Sequence, residues 1–243
     1  MRARLDIELV ARGLTTSREQ AKRLILAGAV RVNGQLAGKA SDTVLADADV
    51  QITAAEKFVS RGGHKLEAAL TAFQIDPTGK RCVDIGASTG GFTDCLLQHG
   101  ASHVHAVDVG KGQLAWKLRQ DPRVTVQDEV NARNLVPSQI GTPVDLVTID
   151  ASFISLTKIL PAAVQLLRPG GELIALIKPQ FEAGRADVGK GGVVRDTGVH
   201  ERVQAEVIDF ATRTLGLQLV GRCESPLLGP AGNKEFLVGF TKS

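Results

Sequence analysis

No run of apolar residues in this 243-residue chain is long enough to span a bilayer, because charged residues interrupt every candidate. The start, Met1-Arg2-Ala3-Arg4-Leu5-Asp6-Ile7-Glu8, lacks the apolar core of a secretory leader. The 3 cysteines are too few, and odd in number, for a disulfide framework. None of Cys82, Cys95 and Cys223 has a partner at Cys-x-x-Cys spacing. The 5 histidines form no metal-ligand cluster: His103 and His105 alternate with no cysteine or third histidine nearby in sequence. Internal repeats and low-complexity tracts are also missing. These absences argue against a membrane protein, a secreted disulfide scaffold and a zinc module. A cytoplasmic globular protein without a bound metal is the expectation.

What is present is unevenly placed. The chain is 43% hydrophobic and 23% charged, ordinary for a globular protein. Net charge is only +3, but residues 1–39 hold Arg2, Arg4, Arg12, Arg18, Lys22, Arg23, Arg31 and Lys39 against Asp6, Glu8 and Glu19. A local basic excess attracts phosphate backbones, although a solvated face accounts for the charge equally well. Arg4, Arg18, Lys22, Arg23 and Arg31 are the candidate RNA contacts.

Residues 4–12 read as a short helix, with Leu5 and Leu9 on one face and Gly13 at its end. Ser17 offers an N-cap and Gln20 completes a capping-box pattern. A second helix then runs to about Ala27, with Ala21, Leu24, Ile25 and Gly28 as its apolar stripe. Val30-Arg31-Val32 alternates as a strand does. Asn33-Gly34 is a hairpin turn, and further alternation follows at Val44 and at Val50-Gln51-Ile52. Residues 1–53 thus form a small α+β domain. Residues 54–63 read as a linker with Gly62-Gly63 as a flexible joint. Residues 64–243 form the second domain. It opens with a helix carrying Leu66, Ala69, Leu70 and Phe73 on one face.

From residue 80 strands alternate with helices. The strand-like runs are Cys82–Ile85, Val104–Val109, Val124–Gln127, Val144–Ile149, Leu173–Ile177, Leu217–Val220 and Phe236–Phe240. Helical stretches lie near 91–99, 112–119, 156–168 and 200–214. This is the pattern of a Rossmann-like α/β domain, a mostly parallel sheet covered on both faces. The last two strands have no helix between them, so a closing antiparallel strand is expected.

The first strand runs into Asp84-Ile85-Gly86-Ala87-Ser88-Thr89-Gly90-Gly91-Phe92-Thr93 and then a helix. Ligands of such sheets bind beyond the carboxyl ends of the strands, where small residues let backbone approach closely. A dinucleotide fingerprint would need glycine where Ser88 stands, and a phosphate loop would need a terminal Gly-Lys-Ser/Thr. Asp84 is placed to meet a methionine ammonium, and Asp108 at the end of the second strand to accept from ribose hydroxyls. The set suits S-adenosylmethionine, with Gly86, Ser88, Gly90, Gly91, Phe92 and Val109 lining its site. Asp128 and Asn131 follow the third strand, where an adenine contact would sit. As a tight turn in a Rossmann-like core, the loop would need no ligand.

Asp150 and Lys178 leave neighbouring strand ends at the same edge. Lys65 precedes the sheet, and Glu235 stands at the start of the last strand. An antiparallel last strand starts where parallel strands stop, so topology can bring these four together. A ribose hydroxyl is a poor nucleophile and needs a base near its proton. Lys178 suits that role with Lys65 beside it, while Asp150 and Glu235 would orient the lysines and balance their charge. Charged residues at strand ends are also commonly plain surface residues.

At these residues the chain resembles the haemolysin-A-like TlyA family of ribosomal RNA 2′-O-methyltransferases over nearly its full length. Ser17-Arg18-Glu19-Gln20-Ala21 and Val30-Arg31-Val32-Asn33-Gly34 resemble an RNA-binding module shared with a small-subunit ribosomal protein, the alpha-L motif. Phe58-Val59-Ser60-Arg61-Gly62-Gly63-His64-Lys65-Leu66 resembles the family's interdomain joint, and the Asp84–Thr93 loop its cofactor loop. Ile177-Lys178-Pro179-Gln180-Phe181-Glu182, Gly189-Lys190-Gly191-Gly192-Val193-Val194 and Gly229-Pro230-Ala231-Gly232-Asn233 with Glu235 complete the match. The resemblance implies a catalytic tetrad of Lys65, Asp150, Lys178 and Glu235. It also implies S-adenosylmethionine as donor and a cytidine of ribosomal RNA, within a ribosomal subunit, as acceptor. Phe58 stands where some relatives carry a linker aromatic. The end at Ser243 leans toward large-subunit RNA. The glycine-rich segment 184–198, with Arg185, Lys190 and Arg195, is expected to be a lid. Two other readings stand beside this one: a non-catalytic RNA- or ribosome-binding protein with a vestigial cofactor site, and a cytolysin.

Overall fold

The computed structural model describes residues 2–26, 29–53, 57–229 and 231–243. Expectations falling on Ala27, Gly28, Ala54, Ala55, Glu56 and Pro230 lie outside the described residues. The chain divides into two compact units, Met1–Lys57 and Phe58–Ser243. Among the described residues no helix is long and apolar enough to cross a membrane.

The first unit comprises β1 (Arg2–Arg4), α1 (Leu5–Ala11), α2 (Arg18–Leu26), β2 (Val30–Val32), β3 (Gln35–Leu36), β4 (Thr43–Leu45) and β5 (Val50–Ile52). Strand β2 lies between β3 and β5, and β1 pairs with β4. Leu5, Leu9, Ala21, Ile25, Val30, Val44, Ala48 and Val50 close its core. Asn33 and Gly34 turn the hairpin with φ of 51° and 78°, the positive pair that matches strand twist. The Ser17 hydroxyl accepts from Gln20 N at 3.2 Å. The expected box does not close on Ser17, however, because the Gln20 side chain accepts from Thr16 N and Oγ1, both at 2.8 Å.

The fully buried Asp6 organises the basic residues of this unit. It accepts from Arg4 Nε at 3.0 Å and from Arg18 Nη2 at 2.9 Å. The hydrogen bonds from Arg4 first, then Arg18, hold its carboxyl well below the usual range. Two candidate RNA contacts are therefore engaged with an internal acid. Lys22 and Arg23 stand exposed on α2, and Arg31 Nη1 donates to Gly34 O at 3.3 Å.

The second unit comprises α3 (Gly62–Phe73), β6 (Arg81–Ile85), α4 (Gly91–Gln98), β7 (His103–Val107), α5 (Trp116–Arg119), β8 (Val124–Gln127), α6 (Pro137–Ile140), β9 (Val144–Ile149), α7 (Leu160–Leu166), β10 (Leu167–Ile177), α8 (Pro179–Glu182), α9 (Thr197–Asp209), β11 (Leu217–Glu224) and β12 (Phe236–Lys242). The strands form one sheet in the order β11-β12-β10-β9-β6-β7-β8. Strands β6 to β10 pair in parallel, while β12 is antiparallel to both β10 and β11. This is the doubly covered Rossmann-like sheet. Val83, Ile85, Val147 and Ile149 pack one face against α7 and α9, and Cys82, Val104, Leu146 and Ile174 pack the other against α3 and α4.

Some helices are shorter than their apolar patterns. Gly112, at φ 68°, confines the helix expected over 112–119 to α5. The 156–168 stretch splits into a 3-10 turn, Leu156–Lys158, and α7. Helix α9 starts early because the Asp196 side chain caps Gly198 N at 2.7 Å.

Gly62 and Gly63 are not a joint. They form the first turn of α3, and residues 58–63 pack with the second unit. A Cβ on Gly63 would lie 2.2 Å from the buried Phe58 ring, so this glycine permits close packing. At Gly62 the nearest atom to such a Cβ is 3.5 Å away, an ordinary contact. Gly63→Ala is expected to destabilise the second unit by about 1–3 kcal/mol through overpacking. Gly62→Ala should stay within about 0.5 kcal/mol of the parent. Urea unfolding of both variants checks this; equal effects would restore the flexible-joint reading.

Candidate active site

The loop after β6 is shaped by close approach. Gly86 N and Ala87 N both donate to Val107 O, at 2.9 and 3.1 Å. Gly86 has φ of 82°, and a Cβ there would lie 2.7 Å from Asp150 O. Only glycine lets the ends of β6 and β9 come this near. Gly90, at φ 99°, turns the chain into α4, where a Cβ would strike Leu118 at 2.3 Å. Ser88 adopts a positive φ of 48°, and its N donates to Asp108 Oδ2 at 2.8 Å. Asp108 Oδ1 accepts from Gly110 N at 2.7 Å. Each Asp108 oxygen thus keeps a lone pair for a ligand hydroxyl.

Asp84 does not face this space. It is fully buried on the α4 side of the sheet, accepting from Thr93 Oγ1 at 2.7 Å and Thr148 Oγ1 at 3.0 Å. It therefore braces the loop from behind, and the expected meeting with an ammonium is corrected. The alternation of β6 decides this, since Asp84 points to the covered face. Burial pushes its carboxyl up to about 7, against the two hydroxyl bonds.

Two adjoining hollows flank the loop. One, of about 510 Å³, is lined by Ser88, Gly91 and Phe92 together with Lys65, Asp150 and Lys178. The other, of about 490 Å³, is lined by Asp108, Val109 and Asn131. Gly86, Ser88, Asp150 and Ser152 line both. Asp128 lies off this surface. Its carboxylate is held by Arg119 Nη2 at 2.5 Å and Gly112 N at 3.0 Å, so an adenine contact from it is not supported. Asn131 caps the 3-10 turn Ala132–Asn134, its Oδ1 accepting from Arg133 N at 3.0 Å.

All four expected catalytic side chains line a third cavity of about 480 Å³. They form two ion pairs. Lys65 Nζ lies 2.5 Å from Glu235 Oε2, and Lys178 Nζ lies 2.6 Å from Asp150 Oδ1. Helix α3 carries Lys65, while Lys178 and Asp150 leave adjacent parallel strands. Glu235 stands immediately before the reversed β12. Both lysines are only 8% exposed, and Glu235 1%. Such burial makes a proton or an ordered partner matter more than at a surface pair.

Sequence reasoning missed three contributors. Ser152 Oγ accepts from Lys178 Nζ at 2.8 Å, fixing the amine from a second direction. Glu182 accepts from Ser155 Oγ at 2.6 Å and Leu156 N at 2.8 Å, tying the loop after β9 to α8; burial raises its carboxyl. Asn233 is 1% exposed and bonded to the segment before α9. Ser152 had a signal, two residues beyond a strand-end aspartate. Glu182 and Asn233 stand in stretches that carry the family resemblance, but their pairings join distant segments and nothing local signalled what each would touch.

The glycine approach to Asp150, the free lone pairs of Asp108 and the volume beside them fit an adenosyl amino acid. Fold and site together define an S-adenosylmethionine-dependent methyltransferase. Residues 58–242 match the FtsJ-like methyltransferase family and residues 3–50 the S4 domain. The chain is 52% identical to the 16S/23S rRNA (cytidine-2′-O)-methyltransferase TlyA of Mycobacterium tuberculosis, over 98% of this chain and 89% of that one. It is 42% identical to Hemolysin A of Brachyspira hyodysenteriae, over 98% of this chain and 99% of that one. A solved chain from Streptococcus thermophilus that carries the hemolysin name superposes with a TM-score of 0.77 at 43% identity, covering 100% of this chain and 89% of that one. The chain belongs to the TlyA branch of the FtsJ-like methyltransferase family.

Asp84 sets a pH dependence. Its folded-state value lies above the ordinary 3.8, so its contribution to stability is full below about that pH and is lost as pH rises toward about 7. Asp84→Asn is expected to remove this decline. Urea midpoints of parent and variant, measured on either side of the window, check it; a constant difference between them would contradict the assignment.

Proposed function

We propose that this protein transfers a methyl group from S-adenosylmethionine to the ribose 2′-hydroxyl of a cytidine in ribosomal RNA, acting on a ribosomal subunit in the cytoplasm. The observation that carries the reading is the shared edge: the two ion pairs Lys65–Glu235 and Lys178–Asp150 line a cavity that adjoins the Gly86–Phe92 loop. The kinship to enzymes named for this reaction supports the substrate.

In this reading Gly86, Ser88, Gly91 and Phe92 hold the amino-acid end of the cofactor, and Asp108, Val109 and Asn131 its nucleoside. Bound S-adenosylmethionine supplies an electrophilic methyl group. Lys178, held by Asp150 and Ser152, takes the proton of the 2′-hydroxyl as the neutral amine, its own ammonium proton having passed to Asp150. Lys65, held by Glu235, sits across the cavity and orients the ribose. The buried walls keep water from competing as acceptor. The S4 domain docks the RNA through Lys22, Arg23 and Arg31, while Arg4 and Arg18 are held by Asp6.

Lys178→Ala is expected to lower kcat by about 10²–10⁴-fold, the usual worth of a positioned base. Cofactor affinity should be preserved. The measurement is transfer of labelled methyl to purified ribosomal subunits and naked ribosomal RNA, with the product identified as 2′-O-methylcytidine. Cofactor binding without transfer to any of these acceptors would favour a binding protein instead.

A further inference from the structure

The segment 184–195 joins α8 to α9 along the acceptor cavity, and it is anchored rather than free. Asp187 accepts from Arg202 Nη2 of α9 at 2.6 Å. Asn233 Oδ1 accepts from Val194 N, and Asn233 Nδ2 donates to Gly192 O, both at 2.9 Å. His200 Nε2 meets Val194 O at 3.0 Å. Val194 itself is buried. Between these anchors lies a tight turn, closed by Gly192 N to Gly189 O and Gly189 N to Val193 O, both at 3.1 Å. Gly191 and Gly192 hold φ of 81° and 75° and form part of the cavity wall beside the ion pairs. A side chain there would be strained, and glycine leaves the wall low.

The charge on this segment is unbalanced. Its acid, Asp187, is already neutralised by Arg202. Arg185, Lys190 and Arg195 are exposed, and among the described residues none of them has an ion pair. Several other surface arginines of the unit are paired, Arg119 with Asp128, Arg123 with Asp121, Arg168 with Asp145 and Arg213 with Asp209, while Arg61, Arg133 and Arg222 stand apart from this segment without an ion pair among the described residues. A hollow of about 330 Å³, lined by Arg195, Thr197 and Lys234, shares Ala231 with the acceptor cavity. Lys234 is paired with Glu224, so Arg195 is the unpaired cation on this hollow, beside the place where the ribose is read to sit.

We propose that segment 184–195 is a pre-formed phosphate clamp. Arg185, Lys190 and Arg195 grip the RNA backbone flanking the target nucleotide, while the glycine turn leaves room for its ribose. The proposal rests on the RNA methyltransferase reading. A loop anchored before binding avoids the ordering cost of a mobile lid. Cations without internal partners are available to displace counterions from phosphates. The guanidinium fork adds bidentate geometry.

The test is binding of the full chain to purified ribosomal subunits and to a ribosomal RNA transcript over a salt series. The parent is compared with the triple variant Arg185→Ala/Lys190→Ala/Arg195→Ala. The variant is expected to bind more weakly, with the slope of log affinity against log salt reduced by roughly two to three. Its affinity for S-adenosylmethionine should be unchanged. Asn233→Ala, which releases the anchor and keeps the cations, should weaken RNA binding with the slope retained. Equal slopes in parent and triple variant overturn the clamp, whether or not methyl is transferred. Tight RNA binding by the parent with no transfer refutes the methyltransferase reading alone, since the slope comparison is read without activity. No RNA binding by the parent overturns both.

Discussion

Strand β12 runs against its two neighbours, β10 and β11, and so starts at the edge where the parallel strands stop. Glu235 stands immediately before it and reaches Lys65 from across the sheet. Ile177 pairs with Phe236, so Lys178 and Glu235 leave the same rung in opposite chain directions. The antiparallel ladder therefore sets the spacing between the two ion pairs. Neither helix packing nor loop chemistry would place four charged groups this closely on its own. The register is held by burial on both faces, where a one-residue slip would turn Phe236, Val238 and Phe240 to the wrong side.

Around that edge, charge is handled in two ways. Buried charges are paired or braced: Asp84 by two threonine hydroxyls, Lys178 by Asp150 and Ser152, and Asp6 in the first unit by two arginines. Unbraced, each would carry a desolvation penalty of several kcal/mol, of order that of losing one partner of a buried pair. Exposed charges are mostly matched to a neighbouring acid. In segment 184–195 the three basic side chains Arg185, Lys190 and Arg195 have no ion pair among the described residues, as is also true of Arg61, Arg133 and Arg222. Similar side chains thus serve as struts at one place and as free cations at another, and the local supply of carboxylates decides which.

Much of the fold was legible in the residues. Each of the seven strand runs of the second unit became a strand; the inner ones are short apolar runs buried on two faces, while β8 and β11 are more exposed and lie at the sheet's edges. The hairpin at Asn33-Gly34 followed from backbone stereochemistry. That Lys65, Asp150, Lys178 and Glu235 meet at one edge was legible through resemblance and through the expected reversal of the last strand. Misreadings arose where a local signal has two meanings. Gly62-Gly63 read as a joint, yet Gly63 is a contact surface for Phe58. Gln20 fitted a capping box, yet its amide turned to Thr16. Asp128 stood where a ligand contact was expected, and Arg119 claimed it.

By itself the sequence determined the two-part organisation, the Rossmann-like pattern and the glycine loop, since periodicity and turn chemistry act over a few residues. Only the tertiary structure decided which charged groups face a cavity and which brace it. Asp84 lies on the covered side of its strand, Ser152 reaches Lys178, and Asn233 ties down a loop some forty residues earlier. The reason is physical. A side chain's role depends on what lies across from it, and contacts between distant segments leave no periodic trace along the chain.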